Sequence, residues 1–212
     1  MPKYQAPEWG NAPAIYDDHT LKILGNEVME DWEMPYMNRL AAVATQNGGA
    51  ILELGYGMGI SSRAIHEHDI ESHTVIEAHP DVIQKCVQDN RQRLIDGKMR
   101  ICSGFWQNVT PTMASETFDG ILFDTYPIGE DEMIGPHMFF FDEAHRLLKP
   151  GGVLTYYSDE AVDLKPPHVQ RLVEAGFSEA TIDFEVCEVT PPENCEYWSD
   201  STIIVPIVRK DS

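Results

Sequence analysis

The chain has 212 residues, 42% of them apolar and 9% aromatic, which suits one soluble domain with a core of its own. With 35 acids against 15 bases its formal net charge is -20, which lacks the basic footprint of a nucleic-acid binder and disfavours an anionic membrane surface. Four cysteines (Cys86, Cys102, Cys187 and Cys195) have neither metal-ligand spacing nor the density of a disulfide scaffold.

Reduced thiols in a cytoplasmic protein are therefore expected. The first residues lack the apolar stretch of a secretory leader, and no run approaches a membrane span. Residues 1–26 read as a polar, proline-bearing arm around Trp9 and Tyr16, with a short helix near 18–24. Residues 27–45 read as a helix kinked at Pro35 and ending near Asn47-Gly48-Gly49. Strands are expected at 51–54, 73–77, 99–102, 119–124, 152–157, 180–188 and 201–208, and helices at 60–68, 81–94, 137–148 and 166–175. Gly151-Gly152 after Lys149-Pro150 predicts a helix stop that feeds a strand. Strands alternating with helices imply βαβ units and a mostly parallel sheet. The last two strands have no helix between them, so they should form an antiparallel pair at one edge. The result is an α/β, Rossmann-like fold in a single domain, 1–212, with 27–212 as its core.

The most informative stretch is Ile51-Leu52-Glu53-Leu54-Gly55-Tyr56-Gly57-Met58-Gly59, a buried strand running into a glycine turn and a helix. Glu77 closes the next strand, about 20 residues on, where an acid can accept hydrogen bonds from a ribose. A dinucleotide loop would read Gly-x-Gly-x-x-Gly, with pyrophosphate at the helix N-terminus. Here the spacing is Gly-x-Gly-x-Gly. Glu53 beside it would repel a pyrophosphate but could take the ammonium of S-adenosylmethionine. Such loops also occur simply to pack strand against helix. Trp106, in Gly104-Phe-Trp-Gln107, could cover an adenine or belong to the core. Asp124 ends the fourth strand, beside the glycine loop if the first strand is central; it could equally cap the next segment. Met29, Glu33 and Met37 share one face of the expected helix. Their spacing alone favours core-filling methionines and an exposed acid over a binding wall.

Longer blocks carry a resemblance. Trp9-Gly-x-Ala-Pro-Ala, Val28-Met-Glu-x-Trp-Glu-x-Pro-Tyr-Met37, Phe118-Asp-Gly-Ile-Leu-Phe-Asp-Thr-Tyr-Pro127 and Arg146-Leu-Leu-Lys-Pro-Gly-Gly-Val-Leu-Thr-Tyr156 resemble the guanidinoacetate N-methyltransferases along nearly the whole chain. The resemblance implies a class I methyltransferase with a seven-stranded sheet, S-adenosylmethionine as donor and the guanidino group of a small molecule as acceptor. It assigns cofactor contacts to Tyr56, Gly57, Met58, Gly59, Ile60 and Ser61, to Glu77 with its neighbour Ala78, and to Trp106 and Gln107. Trp9, Met29 and Met37 become pocket wall, Tyr126 a substrate neighbour, and Glu33 and Asp124 the carboxylates gripping the guanidino group.

The chain departs from that family after Tyr156. A polar Asn-Leu-Thr-Ser stretch, whose amides take the substrate carboxylate, is replaced by Tyr157-Ser158-Asp159-Glu160. Two acids there would repel a carboxylate, so arginine or agmatine stands beside guanidinoacetate as a candidate acceptor. Asp124 is expected to take the proton that a guanidinium must lose, with Glu33 holding another edge and the Trp9 arm closing as a lid. Another small nucleophile, or cofactor binding without catalysis, is the alternative. A monomer or a homodimer is expected, with no metal.

Overall fold

The computed structural model describes residues 6–128, Gly135 and residues 137–211. The first five residues of the expected arm lie outside that range.

The arm is not a coil with one helix. It holds a short helix α1 (Pro7–Asn11) and three strands, β1 (Ala14–Tyr16), β2 (Thr20–Ile23) and β3 (Asn26–Glu30), paired antiparallel in the order β1-β2-β3. The helix expected near 18–24 is therefore strand β2. Alternate residues explain it: Leu21 and Ile23 are buried while Thr20 and Lys22 are not.

The helix expected over 27–45 is corrected too. Its first part is β3, followed by a 3-10 turn at Asp31–Glu33, and only then by α2 (Met34–Ala44). The turn is closed by a capping box between Glu30 and Glu33. Pro35 sits in the first turn of α2, where its missing N–H costs nothing, so it starts the helix rather than kinking it.

Beyond α2 the expected alternation holds. The elements are β4 (Ala50–Leu54), α3 (Ile60–Ile65), β5 (Ser72–Glu77), α4 (Pro80–Asp89), α5 (Arg91–Ile95), β6 (Met99–Ser103) and α6 (Trp106–Val109). Then come β7 (Phe118–Phe123), α7 (His137–Leu147), β8 (Leu148–Tyr156), α8 (Pro166–Glu174), β9 (Ile182–Glu188) and β10 (Thr202–Arg209). The expected helix 81–94 is broken at Asn90, and α6 was not foreseen. Strand β8 starts directly after α7, so Lys149-Pro150-Gly151-Gly152 lies inside the strand, next to a register shift in its pairing with β7.

Seven strands form one sheet in the order β6-β5-β4-β7-β8-β10-β9. Neighbours from β6 to β8 are parallel, while β10 runs antiparallel to both β8 and β9. Two hydrophobic clusters sandwich it. One joins α2, α3 and α4 residues to Ile51, Val75 and Leu122; the other joins α7 and α8 residues to Leu52, Leu54, Ile121 and Phe123. Strands buried on both faces carry apolar residues on both, as Ile121, Leu122 and Phe123 do in β7, while β4 breaks its run with the buried Glu53. Gly120 marks how tightly α2 approaches, because a Cβ there would stand 1.8 Å from the Ala44 carbonyl oxygen.

The chain leaves β4 toward β5 and β6, then returns to β7 on the other side of β4. The loops after β4 and β7 thus part company at the carboxyl edge, which opens a crevice there. No helix among the described residues is long and apolar enough to cross a membrane.

Candidate active site

The crevice holds two cavities. The first is lined by Met29, Gly55, Gly57, Glu77, Ala78, Gly104, Phe105, Trp106 and Gln107, with Trp9 and His79 at its side. The second, of about 630 Å³, is lined by Glu27, Glu33, Tyr157, Asp159, Glu160, Lys165, His168 and Tyr197 among others. Val28, Asp124, Thr125 and Tyr126 line both. The cavities therefore meet at Asp124.

The glycines have separate jobs. Gly55 has φ 86°, and a Cβ on it would lie 1.9 Å from the Asp124 carbonyl oxygen. Only glycine lets β4 and β7 end side by side, with Asp124 N–H donating to the Leu54 carbonyl at 2.9 Å. Gly57, at φ 52°, faces Met29, whose Sδ would be 2.8 Å from an added Cβ. Gly59 makes room for the Tyr56 ring, which folds back so that its hydroxyl donates to Asp89 at 2.8 Å.

Glu77 is buried at the head of the first cavity. Its Oε1 accepts from Ala78 N–H (2.7 Å) and His79 N–H (2.8 Å), and its Oε2 from Tyr56 N–H (2.9 Å). Three amides fix the carboxylate in place and leave acceptor capacity on Oε2. Burial raises its pKa, against the pull of those amides.

Several expected contacts fall elsewhere. Glu53 lies outside both cavity walls. Ser61 and Ser62 donate to its two oxygens at 2.5 Å, and His73 Nε2 lies 3.0 Å away, so Glu53 is held from within the fold, and the contact expected from it toward a cofactor ammonium is not part of the cavity lining. Ile60 and Ser61 are buried under the loop, and Met37 is fully buried in the core behind the site. Tyr56, Met58 and Gly59 also lie outside the walls, although the Tyr56 amide reaches Glu77. Trp106 lines the first cavity and also meets Phe123 and Phe140 edge-on, so it serves both readings.

The arm covers the first cavity. Trp9 is buried and stacks on Tyr126, ring centroids 5.0 Å apart. Ala14 N–H donates to Asp81 (3.0 Å), His79 Nε2 meets the Ala12 carbonyl (2.9 Å), and the Tyr16 hydroxyl donates to the Gly57 carbonyl (3.1 Å).

Glu33 lies at the floor of the second cavity, 3% exposed. Its Oε1 accepts from Glu30 N–H (2.9 Å) and from the Tyr197 hydroxyl (2.6 Å). Burial, then the charge of Asp124, push its pKa up to about 8, while the Tyr197 bond pulls it down. Asp124 is partly buried, and burial followed by the charges of Glu53 and Asp159 push it up to about 7. Glu33 thus comes to the site from a 3-10 turn, not from the helix face shared with Met29 and Met37.

Sequence reasoning missed Tyr197, Tyr157, Lys165, His137 and His168. Tyr197 lies 164 residues from Glu33, in the loop between β9 and β10, and nothing local marks it. Asp159 and Glu160 do reach the second cavity, Asp159 exposed and Glu160 buried.

Comparison with known proteins bears on the fold and the family. The sequence profile named for guanidinoacetate N-methyltransferase matches residues 3–211. Proteins called protein arginine N-methyltransferase 2 are similar: that of Aspergillus fumigatus is 28% identical over 82% of this chain and 41% of its own length. That of Yarrowia lipolytica is 27% identical over 82% of this chain and 38% of its own. The chain thus spans about two fifths of the length of these relatives. Among solved structures, a spermidine synthase bound to the transition-state analogue AdoDATO superposes with TM-score 0.68 at 18% identity, over 90% of this chain and 66% of that one. A Burkholderia thailandensis 1,6-didemethyltoxoflavin-N1-methyltransferase with bound S-adenosylhomocysteine gives 0.59 at 17% identity, over 86% and 80%. These likenesses carry the fold, and the profile match over nearly every residue carries the family: the chain belongs to the guanidinoacetate N-methyltransferases, a family of S-adenosylmethionine-dependent N-methyltransferases.

Proposed function

We propose that this chain transfers a methyl group from S-adenosylmethionine to a guanidino nitrogen of a small molecule. The observation that carries this reading is the junction of the two cavities at Asp124, with a second buried carboxylate, Glu33, in the acceptor cavity.

The first cavity suits that donor. No lysine or arginine is among its described lining residues, so a pyrophosphate would find no countercharge. Glu77 offers a fixed acceptor for ribose hydroxyls. Bare backbone at Gly55, Gly57 and Gly104 permits close approach, and Phe105 and Trp106 supply apolar faces. When bound, S-adenosylmethionine supplies an electrophilic methyl on a sulfonium.

The acceptor side follows from charge. A guanidinium is planar, carries five N–H donors and has no lone pair to give. Glu33 and Asp124 can each take an edge of it, since both hydrogen bonds on Glu33 fall on Oε1 and leave Oε2 for a ligand. Fixing the plane aims one nitrogen across the junction, and such positioning removes much of the entropic barrier. The attacking nitrogen must shed a proton as it is methylated. Asp124 stands at the junction with a pKa near neutrality, the range in which a general base works best. It takes that proton, and Glu33 keeps the remaining guanidine edge in place. Trp9 on Tyr126 excludes water from the junction.

The test is direct. Incubation with S-adenosylmethionine and guanidines such as guanidinoacetate, arginine and agmatine should add about 14 daltons, one CH₂, to at least one of them. Donor binding by calorimetry with no guanidine methylated would sink the proposal.

A further inference from the structure

The second cavity is too acidic for the guanidino group alone. Among its described lining residues, Glu27, Glu33, Asp124, Asp159 and Glu160 bring five carboxylates, and Lys165 brings the one ammonium. Lys165 is extended into solvent, its side chain 72% exposed and 3.7 Å from Glu160. Glu27 is 8% exposed; its Oε1 accepts from Lys22, while its Oε2 is buried without a partner.

The wall behind Asp159 and Glu160 supplies no further cation. His137 and His168 stack at 4.8 Å between ring centroids, and their side chains are 2% and 1% exposed. Burial holds both neutral, their pKa values lowered. His137 Nδ1 is 3.8 Å from Asp159, and His168 Nδ1 is 3.5 Å from Glu160, so the rings offer dipoles rather than countercharge.

The backbone is set to present these acids. Asp159 has φ 57°, a left-handed conformation that aspartate adopts more readily than most non-glycine residues. Glu160 is anchored beside it: its Oε2 accepts from Lys165 N–H at 3.2 Å, and its carbonyl from Ile204 N–H at 2.8 Å. Desolvation and the neighbouring Glu160 raise the Asp159 pKa to about 6, a repulsion that a bound cation would relieve.

We infer that the acceptor is a guanidine bearing a second cationic group, an aminoalkylguanidine, with its guanidino end on Glu33 and Asp124 and its amine on Asp159 and Glu160. The inference rests on the guanidino-methylation reading and adds what occupies the far end. A carboxylate-terminated guanidine meets Asp159 and Glu160 with the wrong sign.

The experiment compares kcat/KM for agmatine, for butylguanidine, which has the same alkyl chain without the amine, for guanidinoacetate and for an arginine-containing peptide. Agmatine should exceed butylguanidine by at least about tenfold, guanidinoacetate should fall below both, and added salt should narrow the gap. In the double variant Asp159→Asn, Glu160→Gln the agmatine-to-butylguanidine ratio should drop several-fold; asparagine accepts the left-handed backbone as readily as aspartate. Equal rates for agmatine and butylguanidine, or a preference for guanidinoacetate or for an arginine within a peptide, would overturn the inference and leave guanidino methylation standing. Methylation of no guanidine by a chain that binds the donor would overturn both.

Discussion

Binding of a guanidinium to the acceptor cavity should expel protons, and the structure sets how many. Glu33 and Asp124 are pushed up to about 8 and about 7 from ordinary values of 4.5 and 3.8. Treated as independent at pH 7, Glu33 is mostly protonated and Asp124 half protonated, roughly 1.4 protons between them. Asp124 helps to raise Glu33, so the two titrate as a pair, and about one proton is the safer figure. A bidentate grip on a guanidinium needs both carboxylates ionised. Affinity should therefore climb by roughly 10² to 10³-fold from pH 6 to pH 8. The sign for stability runs the other way. Folded pKa values above the unfolded ones mean a contribution present below about pH 4 and lost as pH rises through about 8. The free protein should thus lose thermal stability over that window, and the ligand-induced rise in Tm should grow. Titration calorimetry of agmatine in two buffers of different ionisation enthalpy, at pH 6, 7 and 8, measures the released protons. Glu33→Gln should cut the release at pH 7 to about half a proton. Affinity independent of pH with no proton release would refute the reasoning, because the carboxylates would then be ionised before the ligand arrives.

Asp124→Asn should lower turnover by about 10²- to 10⁴-fold, the range for losing a general base, while donor binding measured by calorimetry persists. Tyr197→Phe removes a 2.6 Å bond to Glu33, which raises the Glu33 pKa further; KM for the guanidine should rise about tenfold or more, read from steady-state kinetics. Gly120→Ala forces a Cβ against the Ala44 carbonyl and should cost about 3 kcal/mol in denaturant unfolding, because α2 must lift from the sheet. Deleting residues 1–16 removes Trp9 from Tyr126 and Tyr16 from Gly57, and turnover should fall at least about tenfold; full activity in the truncated protein would show that the arm does not close the site.

Local patterns made much of this molecule legible. Largely apolar strands such as Ile51, Leu52 and Leu54 of β4 and Ile121–Phe123 of β7, separated by helical stretches, announce a parallel sheet because strands covered on both faces need side chains apolar on both. Gly55 and Gly57 were readable because a backbone at φ 86° and 52° beside neighbouring atoms tolerates no Cβ. Asp124 was readable because a strand neighbouring the central one ends at the crevice.

The misreadings have different causes. Met29, Glu33 and Met37 fall at a helical spacing, yet Met29 belongs to a strand, because the Leu24-Gly25 turn folds β3 back onto β2 and pairs Met29 with Leu21. Glu53 looked like a cavity residue, yet it lies outside both cavity walls with Ser61 and Ser62 folded onto it. The loop between β9 and β10 places Tyr197 on Glu33 across 164 residues of chain. By itself the sequence determined the sheet and the glycine turn, each written in short-range periodicity or in residue type, while Glu33 and Asp124 were paired only through the family resemblance. Tertiary structure alone decided that those acids share one cavity, that burial lifts both toward neutral pH, and that Asp159 and Glu160 face the same space. Desolvation and charge proximity arise from groups far apart along the chain, and they exist only once it has packed.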